Sequence, residues 1–167
     1  MIPMSLVGVR VEVPSNVPIV LLREIEGQRH LPIYIGQPEA TAIVYALQGL
    51  DTPRPMTHDL FIQALTELGV GVTQVVITEL HSDPPGSPGT FYAEIELVHG
   101  AGTHRISTRP SDAIALAVRV SAPLFASEEL LDEVGQDPTP EPEEEAEEIL
   151  DEFRDFIEHV NPDDFAG

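Results

Sequence analysis

The feature that most constrains the fold is an order of elements that occurs twice: three strand-like stretches followed by one apolar helix. Apolar residues alternate with polar ones or form short β-branched runs before the first apolar helix, and the same pattern returns before the second. The two helix starts are alike, because Gln37–Ala40 and Arg109–Ala113 each place a carboxylate followed by alanine after a proline. We interpret this as a duplicated β3-α unit.

The chain divides into strands and helices as follows. The predicted strands are Ser5–Val13, Pro18–Ile25, Arg29–Ile35, Val72–His81, Thr90–His99, Thr103–Thr108 and Pro123–Ala126. The predicted helices are Glu39–Leu47, Thr57–Leu68, the stretch that follows Arg109, and Ser127–Val134. Runs of strands with helices on one side predict an α+β fold, in which duplicated β3-α units form one curved, mainly antiparallel, barrel-like sheet with helices packed on it.

The second predicted helix lies between the two units. Thr57 is expected as its N-cap and Gly69 as its C-cap. Its apolar positions form one face, made of Leu60, Phe61, Ala64, Leu65 and Leu68.

Charge is distributed unevenly along the chain. Residues 128–167 hold 17 of the 29 acidic residues and one of the eight basic residues, all of which are arginine. A net charge of −21 excludes tight, nonspecific binding to nucleic acid, so any polyanion site requires a local group of arginines. The absence of cysteine excludes disulfides and thiol catalysis, and no apolar run is long enough to span a membrane. With no visible secretory signal, we expect a cytoplasmic protein.

The composition predicts three segments. Residues 1–135 form the folded domain, residues 136–145 a linker rich in Pro and Glu, and residues 146–167 an acidic amphipathic helix and tail. The apolar residues of that helix recur at helical spacing: Ala146, Ile149, Leu150, Phe153, Phe156, Ile157 and Val160. The segment is either simply solvated or docked on its own domain or a neighbour's.

The first candidate group for chemistry is Thr57-His58-Asp59. These residues either cap a helix, with His58 merely exposed, or place a histidine and a carboxylate where they act as general base or metal ligand. Arg54 precedes them between two prolines, on a stiffened loop where it could contact an anion.

The second candidate group is Arg109–Asp112. Helix capping explains Pro110, Ser111 and Asp112. It leaves Arg109 unexplained, because a guanidinium at the positive end of a helix needs a carboxylate or phosphate partner. If the repeats pack together, Glu39 and Asp112 lie near each other, and paired carboxylates hold divalent cations in hydrolases.

Four ordered motifs, LPIYIGQPEA (31–40), PRPMTHDL (53–60), TFYAEI (90–95) and TRPSDAIALAV (108–118), resemble the bifunctional nuclease family, a mostly bacterial and plant group. The resemblance covers residues 4–134, and the acidic extension and all-arginine basic set suggest an actinobacterial member. It implies an α+β fold with an internal repeat, frequent oligomerisation, and nuclease activity on DNA and RNA. The chain departs from the family at Tyr34, where tryptophan is common, and at Ser107, where many members have an acidic residue that could help bind a metal.

Two hypotheses follow. The first is a nuclease that hydrolyses phosphodiester bonds, with catalytic Glu39, His58, Asp59, Arg109 and Asp112, with phosphate-binding Arg54, Arg109 and Ser111, and with Mg²⁺ or Mn²⁺ held by Glu39 and Asp112. The second is a non-catalytic, oligomeric binding or regulatory module whose tail helix docks on a protein partner or sister subunit. Either way we expect a homo-oligomer without a membrane partner.

Overall fold

The computed structural model describes residues 1–50, 52–84, 87 and 89–137. Its strands are β1 (Ile2–Glu12), β2 (Val17–Glu24), β3 (His30–Tyr34), β4 (Val70–His81), β5 (Thr90–His99), β6 (Gly102–Thr108) and β7 (Leu124–Ala126). Its helices are α1 (Gln37–Leu47), α2 (Thr57–Glu67), α3 (Pro110–Val120) and α4 (Glu128–Val134). The predicted α+β class is confirmed, and most predicted elements differ from the observed ones by one to three residues at their ends.

The seven described strands form one sheet in the order β3-β2-β1-β7-β4-β5-β6. Every neighbouring pair is antiparallel except β4 and β7, which are parallel. The short β7 joins the two three-stranded units, because Ala126 pairs with Ile2 on one side and Ile77 on the other.

The expected barrel-like closure is wrong. A barrel requires its first and last strands to pair. In the described part of the chain β3 and β6 instead lie at opposite edges of the sheet, so the sheet stays open. The order of three strands and a helix occurs twice, as expected, but a duplicated origin stays a prediction.

The core lies between the sheet and the helices α1 and α3, which pack against each other. Residues 113–117 of α3 are all buried, as is Ile43 of α1. Large apolar residues from both units, such as Leu22 and Ile77, meet them from the sheet. A helix that is apolar nearly all round must be buried on most of its surface, which fixes the positions of the polar residues that begin it.

Helix α2 packs differently from its sequence pattern. Its N-cap is Met56 rather than Thr57, and Gly69 follows its C-terminus with a φ of +69°. Of the five residues expected to form one face, only Leu65 packs against the core, together with Ile62. The other four are exposed: Leu60, Phe61, Ala64 and Leu68. The helix buries no residue fully because it lies at the side of α3.

The last described helix, α4, is tied to the hairpin formed by β2 and β3. The Arg29 guanidinium forms two hydrogen bonds with Glu24 and one with Asp132 of α4. Gln136 then pairs with His30 at the start of β3. Most of the predicted linker and the whole predicted tail helix lie outside the described residues. None of the described helices is both long and apolar enough to cross a lipid bilayer.

Candidate functional site

Three helices begin at one place on the molecule. Each has a carboxylate at its third residue: Glu39 in α1, Asp59 in α2 and Asp112 in α3. A carboxylate in the first turn is stabilised by the free N–H groups and positive end of a helix, which explains all three locally. What capping does not explain is that side chains from these turns contact one another.

Four of the predicted site residues form one hydrogen-bonded group, which we name the open cluster: Glu39, His58, Arg109 and Asp112. Arg109 donates from Nε to Asp112 Oδ2 at 2.7 Å and from Nη2 to Asp112 Oδ1 at 3.1 Å. Its Nη1 lies 2.9 Å from Glu39 Oε1. His58 Nε2 lies 3.2 Å from Asp112 Oδ1. The expected proximity of Glu39 and Asp112 therefore occurs, through a shared guanidinium.

Gly36 gives Glu39 its position in this cluster. It is the N-cap of α1, and a Cβ added there would collide with the Glu39 carboxylate. By position in the helix, Gly36 corresponds to Arg109, the N-cap of α3. The first unit thus contributes a carboxylate without an arginine, and Arg109 of the second unit pairs with the carboxylates of both units.

The electrostatics of the open cluster favour a charged Asp112 and a charged Arg109. Partial burial would raise the pKa of Asp112, but hydrogen bonds from Arg109 and His58 outweigh it and lower that pKa. The hydrogen bonds with Asp112 raise the pKa of Arg109. Although Arg109 makes these contacts, its side chain is 66% exposed. A guanidinium has five N–H donors, so one on Nη1 and one on Nη2 have no partner among the described residues.

Asp59 lies next to the open cluster but bonds elsewhere. It forms an ion pair with Arg119 of α3, which we name the closed pair, and also accepts from the Met56 backbone N–H at 2.9 Å. The Arg119 side chain is only 8% exposed and also donates to the Ala115 carbonyl oxygen. Burial would raise the pKa of Asp59, but the hydrogen bonds from Arg119 and Met56 lower it.

The two remaining predicted residues lie apart from the open cluster's contacts. Ser111 is buried at the second residue of α3 and is the buried polar residue of the described core. Arg54 is exposed in the loop before α2, and its guanidinium has no partner among the described residues. Its backbone carbonyl accepts a hydrogen bond from the Thr52 hydroxyl.

A divalent cation does not fit between Glu39 and Asp112 as they are placed. The Arg109 guanidinium bonds both carboxylates, so a cation would have to displace a positive group of high pKa. Among the described residues no group of three or more His, Asp or Glu side chains is arranged to hold a metal ion. Metal binding by these two residues stays a prediction.

A cleft of about 380 Å³ adjoins Arg109, and we name it the aromatic cleft. It is lined by residues 33–36, 89–91 and 109–111. The sequence marks Tyr34 only as a departure from the family pattern and does not single out Phe91 or Arg119. A lone arginine near the end of the apolar helix α3 was a signal for Arg119, since a guanidinium there requires a partner. The aromatic residues carried no comparable signal.

Comparison with known proteins assigns the chain to a family. A model described as the bifunctional nuclease domain matches residues 20–139, which include the whole open cluster. The chain belongs to the bifunctional nuclease family. Two relatives from two strains of Mycobacterium tuberculosis, the uncharacterized proteins MT1877 and Rv1829, are each 41% identical to it in an alignment of 166 residues that covers 96% of each chain.

Proposed function

We propose that the protein hydrolyses phosphodiester bonds in DNA or RNA and that the open cluster is its catalytic site. The observation that carries the proposal is the convergence of Glu39, His58 and Asp112 around Arg109, an exposed guanidinium with N–H groups left for a ligand. Three helix N-termini add positive potential at the same place. Phosphate is the ligand for which this combination is best suited.

In the proposed reaction His58 is the general base. Asp112 accepts from the Nε2–H of His58, which leaves Nδ1 as the nitrogen that takes a proton. Nδ1 has no hydrogen-bond partner among the described residues, so a water molecule can approach it. As that water loses its proton to Nδ1, its oxygen bonds to phosphorus and the bond to the leaving sugar oxygen breaks. The leaving oxygen takes a proton from solvent, and His58 returns its own to solvent.

Arg109 stabilises the phosphate as negative charge develops on it. Its free N–H groups on Nη1 and Nη2 reach the phosphate oxygens, while Glu39 and Asp112 hold the guanidinium in one orientation. Such preorganised donors cost no reorganisation during the reaction. In this account Glu39 and Asp112 are positioning residues for Arg109, and Asp112 also positions His58.

The other predicted site residues have secondary parts in the proposal. Arg54 contacts a neighbouring phosphate of the strand, because it is exposed next to the start of α2 and its guanidinium is without a described partner. Asp59 supports the fold of α2 on α3 through Arg119 rather than contacting substrate. Ser111 supports the start of α3, where it is buried.

Binding of a divalent cation is an alternative role for the carboxylates of Glu39 and Asp112. Mg²⁺ or Mn²⁺ held by Glu39 and Asp112 would require Arg109 to move away from both. Replacing Arg109 by alanine separates the two cases. With Arg109 as the phosphate ligand, the variant loses hydrolysis at every Mn²⁺ concentration. With a metal as the phosphate ligand, the variant binds Mn²⁺ more tightly and keeps its rate.

Asp112→Asn tests the proposed activity. The variant keeps the size of the side chain but loses the charge that holds Arg109 and orients His58, so we expect hydrolysis of a single-stranded oligonucleotide to fall by about 100-fold or more. Asp132→Asn is the matched control, because Asp132 lies in an exposed ion pair with Arg29 away from the open cluster. Equal rates for both variants and the original protein would identify a contaminating nuclease and refute the proposal.

The exposed face of α2 favours a second candidate function, an oligomeric binding module. Leu60, Phe61 and Leu68 are exposed on a helix that buries no residue fully, and helices rarely leave such a stripe uncovered. We propose that a sister subunit covers it. Phe61→Asp should then lower the oligomeric state in light scattering, whereas Ile25→Asp, at another exposed apolar position, should not. A monomer before substitution would refute this candidate.

The acidic tail has a part in both candidate functions, the nuclease and the binding module. Residues 138–167 carry twelve carboxylates and one arginine, so they compete with nucleic acid for any basic site. We propose that residues 1–135 form the folded domain and residues 136–145 form a linker. Residues 146–167 form a helix that docks on a partner or a sister subunit. The protein acts in the cytoplasm. Deleting 138–167 should raise hydrolysis if the tail is inhibitory, and should abolish partner or subunit binding if it docks.

We also propose that the two β3-α units arose by duplication. Glu39 and Asp112 support this, because both are the third residue of a buried helix that follows three strands, and both bond Arg109. The catalytic site would then lie between the two copies, with one carboxylate from each.

A further inference from the structure

The face of the sheet opposite the core carries an apolar patch on β2 and β3. The residues of these strands that point into the core are Val20, Leu22, Leu31 and Ile33. Because successive side chains of a strand point to opposite faces, the residues next to them lie on the outer face. The apolar ones, which we name the outer patch, are Ile19, Leu21, Pro32 and Tyr34. The register pairs the β2 members of the patch directly with its β3 members, so the patch is continuous across both strands.

The described helices pack on the other side of the sheet from the outer patch. Each of them contacts the core on the inner face, through residues such as Ile43, Ile62, Ile114 and Leu130. On the outer face Tyr34 is 57% exposed, and Gly8 of β1, which pairs with Leu21, adds no side chain. A Cβ added to Gly8 would meet nothing within 4 Å, so there is space beside Leu21 for a large apolar side chain from another segment.

Positive charge borders the outer patch. Arg10 of β1 pairs with Ile19, and Arg23 follows Leu21 by two residues on the same face of β2. Residues 138–167 carry twelve carboxylates and one arginine, and their apolar residues recur at helical spacing. An acidic helix with one apolar face therefore complements an apolar patch that has arginines at its border.

The chain leaves the described domain next to the outer patch. Gln136 pairs with His30, the first residue of the strand β3 that carries Pro32 and Tyr34. Residues 138–145 span at most about 25 Å when extended, because each residue adds about 3.3 Å. This reach brings residue 146 over β2 and β3 without any change in the described domain.

We infer that the outer patch holds residues 146–167 of the same chain, as a helix whose apolar stripe faces the patch. The helix adds a layer on the uncovered side of the sheet, and Leu150, Phe153 and Ile157 of the stripe replace water there. The inference does not depend on the proposed hydrolysis. The proposed docking of the tail on a partner or sister subunit would then require the tail to leave its own sheet.

Trypsin tests the inference on the full chain. It cleaves after lysine and arginine, and Arg154 is the only such residue after Arg119. Proteolysis within a docked helix requires the helix to open first, so cleavage after Arg154 should be slow while the tail is docked. Ile19→Asp places a charge in the outer patch and should speed this cleavage by about tenfold, measured by mass spectrometry as the release of residues 155–167.

Two further variants control for general loss of structure. Ile106→Asp is the same substitution at a 49% exposed isoleucine that pairs with the core residue Ile95, on the inner face, and should leave the cleavage rate unchanged. Leu150→Asp leaves the sheet itself unchanged and should speed cleavage as much as Ile19→Asp does. A rate in Ile19→Asp equal to that of the original protein, or to that of Ile106→Asp, overturns the inference. If thermal unfolding shows that Ile19→Asp does not fold, Arg23→Glu replaces it with the same expected result.

A mixture of two variants separates docking on the chain's own sheet from docking on a sister subunit. Ile19→Asp chains keep an intact tail, and Leu150→Asp chains keep an intact outer patch. After the two are unfolded and refolded together, docking within one chain predicts fast cleavage after Arg154 in both. Slow cleavage restored in the Ile19→Asp chains would assign the outer patch to a sister subunit's tail and overturn docking within one chain.

Discussion

The open cluster and the closed pair each pair an arginine of the α3 region with carboxylates, and they differ in what surrounds the guanidinium. Arg109 bonds Asp112 of α3 and Glu39 of α1, and Arg119 bonds Asp59 of α2. Arg119 is 8% exposed and its partners lie within the fold, whereas Arg109 is 66% exposed and retains free N–H groups beside the aromatic cleft. The difference indicates that an ion pair can serve as a ligand-binding site when the protein orients it but leaves it open to a ligand.

Among the substitutions that distinguish the open cluster from the closed pair, we expect the largest loss of hydrolysis from a change of His58. His58→Gln keeps a donor toward Asp112 and removes the proposed general base, so hydrolysis per folded molecule should fall by about 10²- to 10⁴-fold. The thermal midpoint should change little, because the histidine contributes one hydrogen bond to Asp112. Steady-state rates and thermal unfolding measure both. A variant with its full rate would remove His58 from the chemistry.

The closed pair should respond in the opposite sense to Asp59→Ala. Arg119 would remain as a buried charge without its carboxylate, which we expect to cost about 2 kcal/mol of the free energy of unfolding. Asp132→Ala breaks an ion pair in which the carboxylate is 68% exposed, and should cost less than about 1 kcal/mol. Denaturant unfolding compares the two. If Asp59→Ala instead abolished hydrolysis without loss of stability, Asp59 would belong to the catalytic site.

Low pH should weaken the ion pairs of both the open cluster and the closed pair, because the pKa values of Asp59 and Asp112 are lowered from a usual value of 3.8. The unfolded chain then binds more protons than the folded protein, so the stabilisation is present above this usual value and is lost as pH falls through the folded pKa values. The free energy of unfolding should therefore decrease from pH 5 to pH 3. The decrease should be smaller in Asp59→Ala, and an equal decrease would show that other carboxylates dominate.

The smallest expected effect concerns the orientation of Arg109. Gly36→Ala pushes the Glu39 carboxylate away from its place, so Arg109 would lose one of its two positioning partners. We expect hydrolysis to fall less than about tenfold, since the bidentate contact with Asp112 remains. Gly71→Ala is a suitable control, because a Cβ there meets nothing. Equal rates for the two variants would show that Glu39 does not position Arg109.

Much of the fold could be predicted because hydrophobic periodicity is a local signal. The buried helix α3 and the strand Thr90–His99 follow directly from it. The packing of α2 could not be predicted in the same way. Whether Ile62 or Leu60 turns inward depends on where the helix lies against α3, and that is set by tertiary contacts.

The residues of the candidate site could likewise be predicted only where the signal in the sequence is local. Arg109 could be singled out because a guanidinium at a helix start requires an anion. The repeated helix start predicted that Glu39 lies near Asp112, but not that Arg109 bonds both carboxylates. Nothing local distinguishes His58, which joins the cluster, from Asp59, which does not. They are adjacent in sequence, and their partners Asp112 and Arg119 are more than fifty residues away.

Arg109→Ala and Arg119→Ala together test directly whether the open cluster is the catalytic site. The measurement is the rate of hydrolysis of a single-stranded oligonucleotide per folded molecule. Arg109→Ala should lower the rate of hydrolysis by at least about 100-fold and leave the thermal midpoint unchanged. Arg119→Ala should keep the rate of hydrolysis and unfold at a lower temperature. A full rate in Arg109→Ala, or a rate lost only in Arg119→Ala, would contradict the assignment of the open cluster as the catalytic site.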